Sequence, residues 1–507
     1  MEVLRETESF CPVCKRVIPA KLVAVGNEVK IKKTCPEHGD FEDTYWGNPK
    51  HYKWVMKFQN DGSGISNPRT KRTNKGCPLD CGLCEEHKSH TVLGIVDVTN
   101  RCNLKCPVCF ANANITKKVY EPTPEQIRGM LKNLRETQPV PAYSFQFSGG
   151  EPTMRDDLPK LVKIGKELGF NYIMVDTNGI RIAQDRKYLK QLKDAGTDAF
   201  YLQFDGLDDE VYRKIRGAPL LKTKIQAIEN CRKIGINVVL VVTLMRGIND
   251  SQVGGIIKFA AENLDVIKSV NVQPLSLAGS ASRYEVKENR ITTYDFINLV
   301  EKQTKGGIKA SDFYPVPSTV PVSRFVEAKV KKPTVAMTTH PICGVGTYII
   351  VKEDGSYTPI TKLVDVPSLF NALDKGAREL KNEGKLSKKL GMAKLKLEAR
   401  LLKSIIRYIY DSERRELILN MLKSGTYEAA ANFHKNALMI GCMHFMDPWN
   451  FDIERVERCV IHYSLPDGRI IPFCSYNNFH RAALEEKFSV SVEEWEKEHG
   501  TSVHSYA

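Results

Sequence analysis

The sequence contains no long apolar run. Its longest apolar candidate, Val238 to Met245, is strand-sized, whereas a membrane-spanning helix needs ~20 apolar residues. The first residues, Met1 to Glu8, are charged and include no apolar segment of the secretory type. These absences argue against a transmembrane or secreted protein and predict a cytoplasmic one. No strip of alternating basic and aromatic residues is present either, so we expect no nucleic-acid partner.

The bulk composition is that of a multidomain globular protein. With 507 residues, 42% of them hydrophobic, the chain is long enough for two to four domains. Its 14 cysteines, without a secretory signal, favour metal ligation over disulfides. The net charge of +14 suits an acidic lipid, cofactor or nucleic acid but also an ordinary solvated surface, so it does not choose a partner.

The most informative motif is C-x3-C-x2-C at Cys102, Cys106 and Cys109. It directly follows an apolar run, 92–98, that is typical of a strand. Three thiolates can hold three irons of a [4Fe–4S] cluster and leave the fourth iron open, whereas electron carriers normally use four cysteines. The spacing therefore predicts a cluster that binds a small molecule. A structural zinc knuckle and a ferredoxin-type site are the alternatives.

Two further groups of cysteines indicate auxiliary clusters. The same spacing recurs at Cys77, Cys81 and Cys84, whose fourth ligand stays undetermined. The following histidines, His87 and His90, could be ligands, but we assign them to a surface loop. Cys231 falls within a helical pattern and is assigned to the core. The remaining cysteines come from separate segments and are predicted to converge on one four-cysteine cluster: Cys343, Cys442, Cys459 and Cys474.

The N-terminal segment carries a fourth candidate site, C-x2-C-x20-C-x2-H. Its ligands would be Cys11, Cys14, Cys35 and His38, which suit a small metal-stapled ribbon. Structural zinc and a rubredoxin-like mononuclear iron both fit these residues, and the sequence leaves the choice between Fe and Zn open.

The middle of the chain alternates strands and helices, which predicts an α/β fold with a parallel sheet. Six strand candidates, with five intervening helices, indicate a partial (β/α)6 barrel rather than a complete eight-stranded one. The predicted strands span 92–98, 143–147, 171–176, 198–204, 236–243 and 269–273. The predicted domains are a metal-binding ribbon (1–60), an auxiliary cluster segment (61–91), the barrel (92–275) and a C-terminal iron–sulfur and helical domain (276–507).

The cysteine motif, Phe110 and the later Ser148-Gly149-Gly150-Glu151-Pro152 together resemble the radical S-adenosylmethionine (SAM) superfamily. The resemblance implies that a reduced cluster cleaves SAM to a 5′-deoxyadenosyl radical, with an external electron donor. It implies that Cys102, Cys106 and Cys109 hold the catalytic cluster and that Phe110 lies near the adenine. Residues at the strand ends would bind the cofactor: Ser148, Gly149, Gly150, Glu151, Asp176, Asn178, Gln203, Asp205, Thr243 and Gln273. Three [4Fe–4S] clusters are expected in all.

The ribbon, the doubled motif and a basic C-terminal region are similar to those of the archaeal tetraether lipid synthases. This resemblance implies carbon–carbon coupling of isoprenoid chains in a diether phospholipid, with the protein bound peripherally to an anionic membrane surface. The basic amphipathic stretch 385–407 would suit such a surface, although it could also pack on the protein itself.

Three other functions remain open. A radical SAM methyltransferase acting on a pterin-type cofactor would need only a polar pocket. An RNA-modifying enzyme would account for the positive charge. A non-catalytic electron carrier with several clusters would not cleave SAM, and it leaves Ser148–Pro152 unexplained. The exact substrate, the electron donor and the oligomeric state are not determined by the sequence.

Overall fold

The computed structural model describes residues 2–70, 75–109, 111, 113, 118–277, 279–281, 290–386, 391–424 and 437–503. Phe110, predicted to lie near the adenine, falls outside these residues.

The N-terminal ribbon is an antiparallel sheet in which each strand pairs with the next. Its strands are β1 (Glu2–Phe10), β2 (Val17–Val25), β3 (Glu28–Cys35) and β4 (Gly39–Trp46), followed by helix α1 (Pro49–Val55). One apolar core forms around Leu22, Ile31 and Trp46, and a smaller one surrounds Cys11 and Cys35. The ribbon packs on the C-terminal part of the chain, because buried Asp452 accepts hydrogen bonds from Arg5, Thr7 and Tyr45.

Six parallel strands form the centre of the main sheet, in the order of the chain. They are β5 (Leu93–Thr99), β7 (Ser144–Gly149), β8 (Tyr172–Thr177), β9 (Ala199–Gln203), β10 (Asn237–Leu244) and β11 (Ile267–Pro274); the short strand β6 (Lys118–Tyr120) lies outside this sheet. Each of the six strands overlaps a predicted one, so the α/β fold with a parallel sheet is confirmed. A single cavity touches β5 at one edge and β11 at the other, and the sheet is therefore curved around it.

Helices alternate with these strands and cover the outer face of the sheet. They are α2 (Pro124–Arg135), α3 (Leu158–Glu167), α4 (Ile180–Gln184), α5 (Arg186–Ala195), α6 (Asp209–Arg216), α7 (Leu221–Ile234) and α8 (Val253–Glu262). Local sequence fixes their ends: Thr123 and Gln126 form a reciprocal capping box at the start of α2, and Gly196 ends α5 with positive φ. Their apolar faces share one core with the strands, in which Cys231 is buried as predicted.

The C-terminal region adds strands to both edges of the same sheet. At one edge, β15 (Ala437–Met443) runs parallel to β11; at the other, β16 (Ile461–Ser464) runs parallel to β5. The remaining strands are β12 (Tyr314–Pro315), β13 (Gly344–Val351), β14 (Tyr357–Pro359), β17 (Ile470–Pro472) and β18 (Ser489–Ser491), of which β18 pairs with β6. Eight consecutive parallel strands thus surround the cavity, two more than predicted, and residues 276–507 share a sheet with the barrel.

The later helices are α9 (Thr293–Gln303), α10 (Val320–Val330), α11 (Val366–Leu386), α12 (Gly391–Ile406), α13 (Ser412–Ser424), α14 (Ile453–Glu457), α15 (Phe473–Ser475), α16 (Arg481–Phe488) and α17 (Val492–His499). Four of them, α10 to α13, form a second apolar core beside the barrel. Leu401 and Ile405, from the basic stretch considered as a membrane surface, are buried in this core against α10 and α11. Of the helices described, none combines the length and apolarity needed to cross a membrane.

Candidate active site

The three motif cysteines and the carboxyl ends of the barrel strands line one cavity of about 220 Å³. Parallel strands bring their carboxyl ends to the same side of a barrel, which is where such folds bind ligands. The predicted residues that line the cavity are Cys102, Cys106, Cys109, Ser148, Gly149, Gly150, Glu151, Asp176, Asn178, Gln203, Thr243 and Gln273. Asp205 is the exception among the described cofactor-binding candidates, because it lies behind the cavity wall.

Gly149 and Gly150 let two strand ends approach closely. Gly149 has φ of 128°, and a Cβ there would lie 2.1 Å from the carbonyl oxygen of Thr99. A Cβ on Gly150 would lie 2.3 Å from the carbonyl oxygen of Arg101. Only glycine fits both positions. The amide of Gly150 donates to Thr99 O, and this contact positions the start of the cysteine loop against β7.

Glu151 organises the neighbouring turn with its side chain. Its Oε2 accepts a hydrogen bond from the backbone N–H of Asn178 (2.6 Å), and its Oε1 accepts from Thr177 Oγ1 (2.8 Å). Burial raises the pKa of this carboxyl, and the hydrogen bonds at Asn178, Thr153 and Thr177 offset part of that shift. The carboxylate thus stabilises the 177–179 turn, while the residue also faces the cavity.

The loop that carries the cysteines is tied to two other segments. Asn178 Nδ2 donates to Asn103 Oδ1 (2.7 Å), between the first and second cysteines. The backbone N–H of Cys109 donates to Ser280 Oγ (2.9 Å), and Ser280 Oγ donates to Pro107 O (2.9 Å). These contacts hold the loop so that its thiols face the cavity.

An ion pair that the sequence analysis missed fixes the loop to the barrel. Arg216 Nε and Nη2 donate to the two carboxylate oxygens of Asp205 (2.7 and 2.9 Å), and Nη2 also donates to Thr243 Oγ1 (2.8 Å). Its Nη1 donates to the carbonyl of Val108, between the last two cysteines (3.0 Å). Burial lowers the pKa of Arg216, but Asp205 outweighs it and the net shift is upward. Asp205 therefore pairs with an arginine that lines the cavity, and Asp205 itself does not line it.

Arg216 lies in helix α6, which was not among the five predicted helices. Local sequence signals nevertheless mark both ends of this helix. Asp208 accepts a hydrogen bond from the backbone N–H of Val211 as an N-cap, and Gly217 ends the helix with φ of 79°. A capping aspartate nine residues before glycine, with basic residues in the last turn, is a recognisable helix signature.

Asp176 presents a carboxyl group to the cavity from β8. Ser148 Oγ donates to its Oδ2 (2.8 Å), and Gln146 also hydrogen-bonds it. Burial, with smaller contributions from the Glu151 and Asp97 charges, raises its pKa to about 7. Tyr201 is its register partner on β9, and Gln273 Nε2 donates to the Tyr201 hydroxyl (3.0 Å).

A buried lysine supports the opposite part of the wall. Lys224 Nζ donates to the carbonyl of Asn178 and to Gln203 Oε1 (3.2 Å). Burial lowers its pKa to about 8, although the Asp205 charge acts in the opposite sense. Lys224 therefore positions Asn178 and Gln203, which lie at the ends of β8 and β9.

Residues from the C-terminal region close the side of the barrel. Phe445 and Phe473 stack with ring centroids 4.4 Å apart, and Tyr463 lies 5.5 Å from Phe473. Arg481 also lines the cavity; it pairs with Asp97 (2.7 Å) and lies over the ring of Tyr463. This wall could not be predicted from local sequence patterns. It depends on the pairing of β16 with β5, and these two strands lie far apart in the chain.

Cys77, Cys81 and Cys84 line a second, smaller cavity together with His87 and Glu457. His87 and His90 are both buried, so their assignment to a surface loop is wrong. His87 Nε2 lies 2.9 Å from the carbonyl oxygen of Cys459 and 3.2 Å from His462 Nε2. These histidines are buried because the C-terminal segment around β16 packs over the loop that carries them.

The four-cysteine grouping predicted for the C-terminal region divides into three and one. Burial raises the pKa of Cys459 and of Cys474, and the neighbouring Cys343 adds to both shifts; Arg455 Nε donates to the Cys343 sulfur (3.3 Å). Cys442 does not join them. Its sulfur lies 3.9 Å from Thr293 Oγ1 on α9, in the outer core. Successive residues of a strand face opposite sides of the sheet. Because its neighbour Met443 faces the cavity, Cys442 faces away from it.

The ribbon brings its four predicted ligands together. The ligand atoms of Cys11, Cys14, Cys35 and His38 all lie within 4.8 Å of one another. Cys14 Sγ is 3.8 Å from Cys35 Sγ, and Cys35 Sγ is 3.5 Å from His38 Nδ1. The hydrogen bond from His38 lowers the pKa of Cys35, which favours the thiolate that a metal requires.

Comparisons with known families agree with this arrangement. Residues 96–260 match the radical SAM superfamily, and residues 3–47 match the HMPTM N-terminal zinc ribbon domain. The first match runs from β5 into α8 and includes the cysteine loop, and the second covers the part of the ribbon that holds its four ligands.

Similar proteins include one of nearly the same length. A 7,8-dihydro-6-hydroxymethylpterin dimethyltransferase of Methanocaldococcus jannaschii is 49% identical over 500 residues, which are 98% of this chain and 97% of that enzyme. A GTP 3′,8-cyclase of Nautilia profundicola is 33% identical over 168 residues, 32% of this chain and 51% of the cyclase. Among solved structures, Streptococcus suis SuiB bound to its precursor peptide SuiA is 20% identical, with a TM-score of 0.35, over 43% of this chain and 46% of SuiB.

These findings correct the predicted function and settle the family. The full-length relative is named as a pterin dimethyltransferase, which contradicts lipid coupling and the resemblance to tetraether lipid synthases. The diether phospholipid and the anionic membrane lose their support with it. The radical SAM assignment is confirmed. On 49% identity over 98% of its length, this chain belongs to the family of the 7,8-dihydro-6-hydroxymethylpterin dimethyltransferase, within the radical SAM superfamily.

Proposed function

We propose that this protein is a radical SAM methyltransferase that acts on the ring of a dihydropterin. The observation that carries the proposal is that one cavity is lined both by the three motif thiols and by polar and aromatic side chains. The substrate class comes from the full-length relative, whose name specifies a 7,8-dihydro-6-hydroxymethylpterin.

The residues around the cavity fit an iron–sulfur cluster with one open iron. Cys102, Cys106 and Cys109 are three soft ligands on one short loop, all facing the same space. Burial raises the pKa of Cys102 and of Cys106, a cost that bound iron offsets because it holds the thiols as thiolates. When bound, such a cluster supplies the electron that cleaves SAM.

The chain's own side chains position the reactants. Asn178 and Ser280 hold the cysteine loop, and Arg216 places a cationic group beside it. Ser148, Gln203, Thr243 and Gln273 face the cavity with polar groups that suit the ribose and carboxylate of SAM. The C-terminal aromatic residues restrict access from the side of the barrel, which limits the entry of water to the reacting atoms.

The balance of the reaction needs two electrons for each methyl group when SAM is also the methyl donor, and dithionite can supply them. The hydrogen of a ring C–H bond leaves on 5′-deoxyadenosine, formed together with methionine from one SAM, and the S–CH₃ bond of a second SAM breaks as the C–CH₃ bond forms, which releases S-adenosylhomocysteine. Two rounds of this exchange would account for a dimethylated product of the kind named for the relative.

We also propose that the ribbon binds zinc in a structural role. Four protein ligands within 4.8 Å complete a tetrahedral shell and leave no position for a substrate. The matching family model is a zinc ribbon.

Mass spectrometry of an anaerobic reaction tests the proposal. Reconstituted protein, dithionite, SAM with a deuterated methyl group and 7,8-dihydro-6-hydroxymethylpterin should give deoxyadenosine and a pterin that carries one or two labelled methyl groups. Cys231→Ala is a matched control, because this buried cysteine packs in the outer core, away from the cavity. Deoxyadenosine with an unmethylated pterin would retain the radical enzyme and reject this substrate.

A further inference from the structure

We propose that Asp176 recognises the substrate by accepting hydrogen bonds from adjacent N–H donors on its ring. This inference rests on the proposed function, and it names the residue that would determine specificity for the pyrimidine edge of a pterin. The argument combines the position of Asp176, its unused hydrogen-bonding capacity and the wall of the cavity around it.

Asp176 is placed in the barrel lumen by strand alternation. It lines the cavity together with Ser148 and Tyr201, which come from the strands on either side of β8. On the same strand, Val175 is fully buried in the outer core. Because side chains alternate along a strand, the carboxyl group points inward.

The carboxyl group can accept more hydrogen bonds than the protein supplies. Two oxygens offer about four acceptor positions. Ser148 Oγ occupies one on Oδ2, and Gln146 occupies another. No arginine or lysine pairs with this group among its described interactions, in contrast to Asp97, which pairs with Arg481, and Asp205, which pairs with Arg216. A bound ligand with N–H groups would therefore complete the site.

The same cavity has an aromatic wall that suits a flat heteroaromatic ring. Phe445, Phe473 and Tyr463 form this wall, with interplanar angles of 24° and 29° between successive rings. Such a wall binds a planar π-system by offset stacking or edge contacts. A cavity that combines an aromatic wall with a carboxylate favours a planar ring with adjacent donors.

A pterin presents this pattern of donors. Its 2-amino group and N3–H are adjacent and coplanar, and together they match the two oxygens of a carboxylate in a paired arrangement. A lumazine carries an oxygen in place of the 2-amino group, so the same edge offers one donor and one acceptor. A carboxylate would bind the first edge well and would repel the oxygen of the second.

Paired ligands and paired variants test the inference. The reconstituted holoenzyme with SAM is titrated anaerobically with 6-hydroxymethylpterin and with 6-hydroxymethyllumazine, and binding is followed by ligand fluorescence. We expect the wild type to prefer the pterin by at least about tenfold, the scale of a hydrogen bond to a charged group. Asp176→Asn should reduce or invert this preference, because an asparagine amide offers one acceptor and one donor. Asp354→Asn, an exposed change in a distant turn, should leave both affinities unchanged.

The competing outcomes are distinguishable. If Asp176→Asn weakens SAM binding and leaves the pterin preference intact, the residue belongs to the SAM site and the inference is overturned. If both affinities and the preference are unchanged, Asp176 does not contact the ring, and the inference is again overturned. If the wild type binds SAM but neither of these rings nor 7,8-dihydro-6-hydroxymethylpterin, the proposed function itself fails. Deoxyadenosine formation by Asp176→Asn with SAM alone shows that the variant is folded.

Discussion

The ribbon and the barrel hold their cysteines in different ways. In the ribbon, four ligand atoms lie within 4.8 Å of one another, between strands of a small antiparallel sheet. In the barrel, three cysteines lie on one loop around an open cavity, and no comparably close group is found there within the described ranges. A closed set of four suits a structural metal, whereas an incomplete set leaves room for a small molecule.

The electrostatic surroundings of the thiols also differ between the two regions. In the ribbon, the hydrogen bond from His38 lowers the pKa of Cys35, whereas at Cys14 a backbone hydrogen bond at Arg16 is outweighed by burial and by the Cys11 and Cys35 sulfurs, which raise its pKa. Burial raises the pKa of Cys106, and the adjacent Arg216 offsets only part of that shift. The barrel loop is held in place by hydrogen bonds to other segments, and its cluster would stabilise the charged thiols.

The largest loss of activity is expected when one of the three proposed cluster ligands in the barrel is removed. Cys106→Ala should lower deoxyadenosine formation below detection, because two thiols cannot hold the proposed cluster. Iron content and the visible absorption of the cluster should fall, while the ribbon metal remains. Elemental analysis and deoxyadenosine assays check this. With Cys231→Ala as the control, equal activity of both variants would show that the motif is not catalytic.

Arg216→Leu should have the next largest effect. It leaves Asp205 buried without its partner, which costs about 3–5 kcal/mol in comparable cases. It also frees the Val108 carbonyl, and the cysteine loop should loosen. Thermal unfolding and hydrogen exchange over 100–109 measure both effects. Arg216→Lys keeps the charge but not the paired geometry, and it should recover stability in part. Unchanged exchange in the loop with Arg216→Leu would contradict the anchoring role.

The sequence predicted the part of the barrel that depends on local patterns. All six central strands were found because buried parallel strands are short apolar runs between turns. Helix α6 was missed, and Arg216 with it, although Asp208 and Gly217 marked its ends. The strands β15 and β16 could not be placed, because pairing over hundreds of residues leaves no spacing signal. Cys442 was grouped with other cysteines for the same reason, and strand alternation turns it away from the cavity.

The affinity for the pterin should depend moderately on pH through Asp176. Burial raises its pKa to about 7, and the Glu151 and Asp97 carboxylates and the Tyr201 hydroxyl lie among its surroundings. The ionised carboxylate accepts both N–H groups, so binding favours ionisation. Affinity should therefore fall as pH drops through 7, approaching about tenfold per pH unit below the pKa, and level off above it. Fluorescence titrations from pH 5.5 to 8.5 measure this, and Asp176→Asn should give a flat profile. A wild-type profile that is also flat would contradict ionisation of Asp176 on binding.

The smallest effect on catalysis should come from removing the ribbon metal. Cys35→Ser, or treatment with a zinc chelator, should loosen the small core around Cys11 and Ile18. The larger core around Leu22 and Trp46, and the contacts of Asp452 with β1 and β4, do not require the metal and should hold the ribbon in place. Hydrogen exchange should therefore increase over 9–18 and 33–41, while deoxyadenosine formation with dithionite changes less than about twofold, as for local opening.

Two comparisons sharpen the ribbon experiment. Glu37→Gln removes an exposed ion pair with Arg16 beside the same site and should change stability by no more than about 0.5 kcal/mol. If Cys35→Ser instead abolishes activity while hydrogen exchange in the barrel stays unchanged, the ribbon metal takes part in catalysis. Since dithionite can reduce a barrel cluster directly, that result would require a role for the ribbon beyond both structure and electron delivery, and the contrast between the two regions would no longer hold.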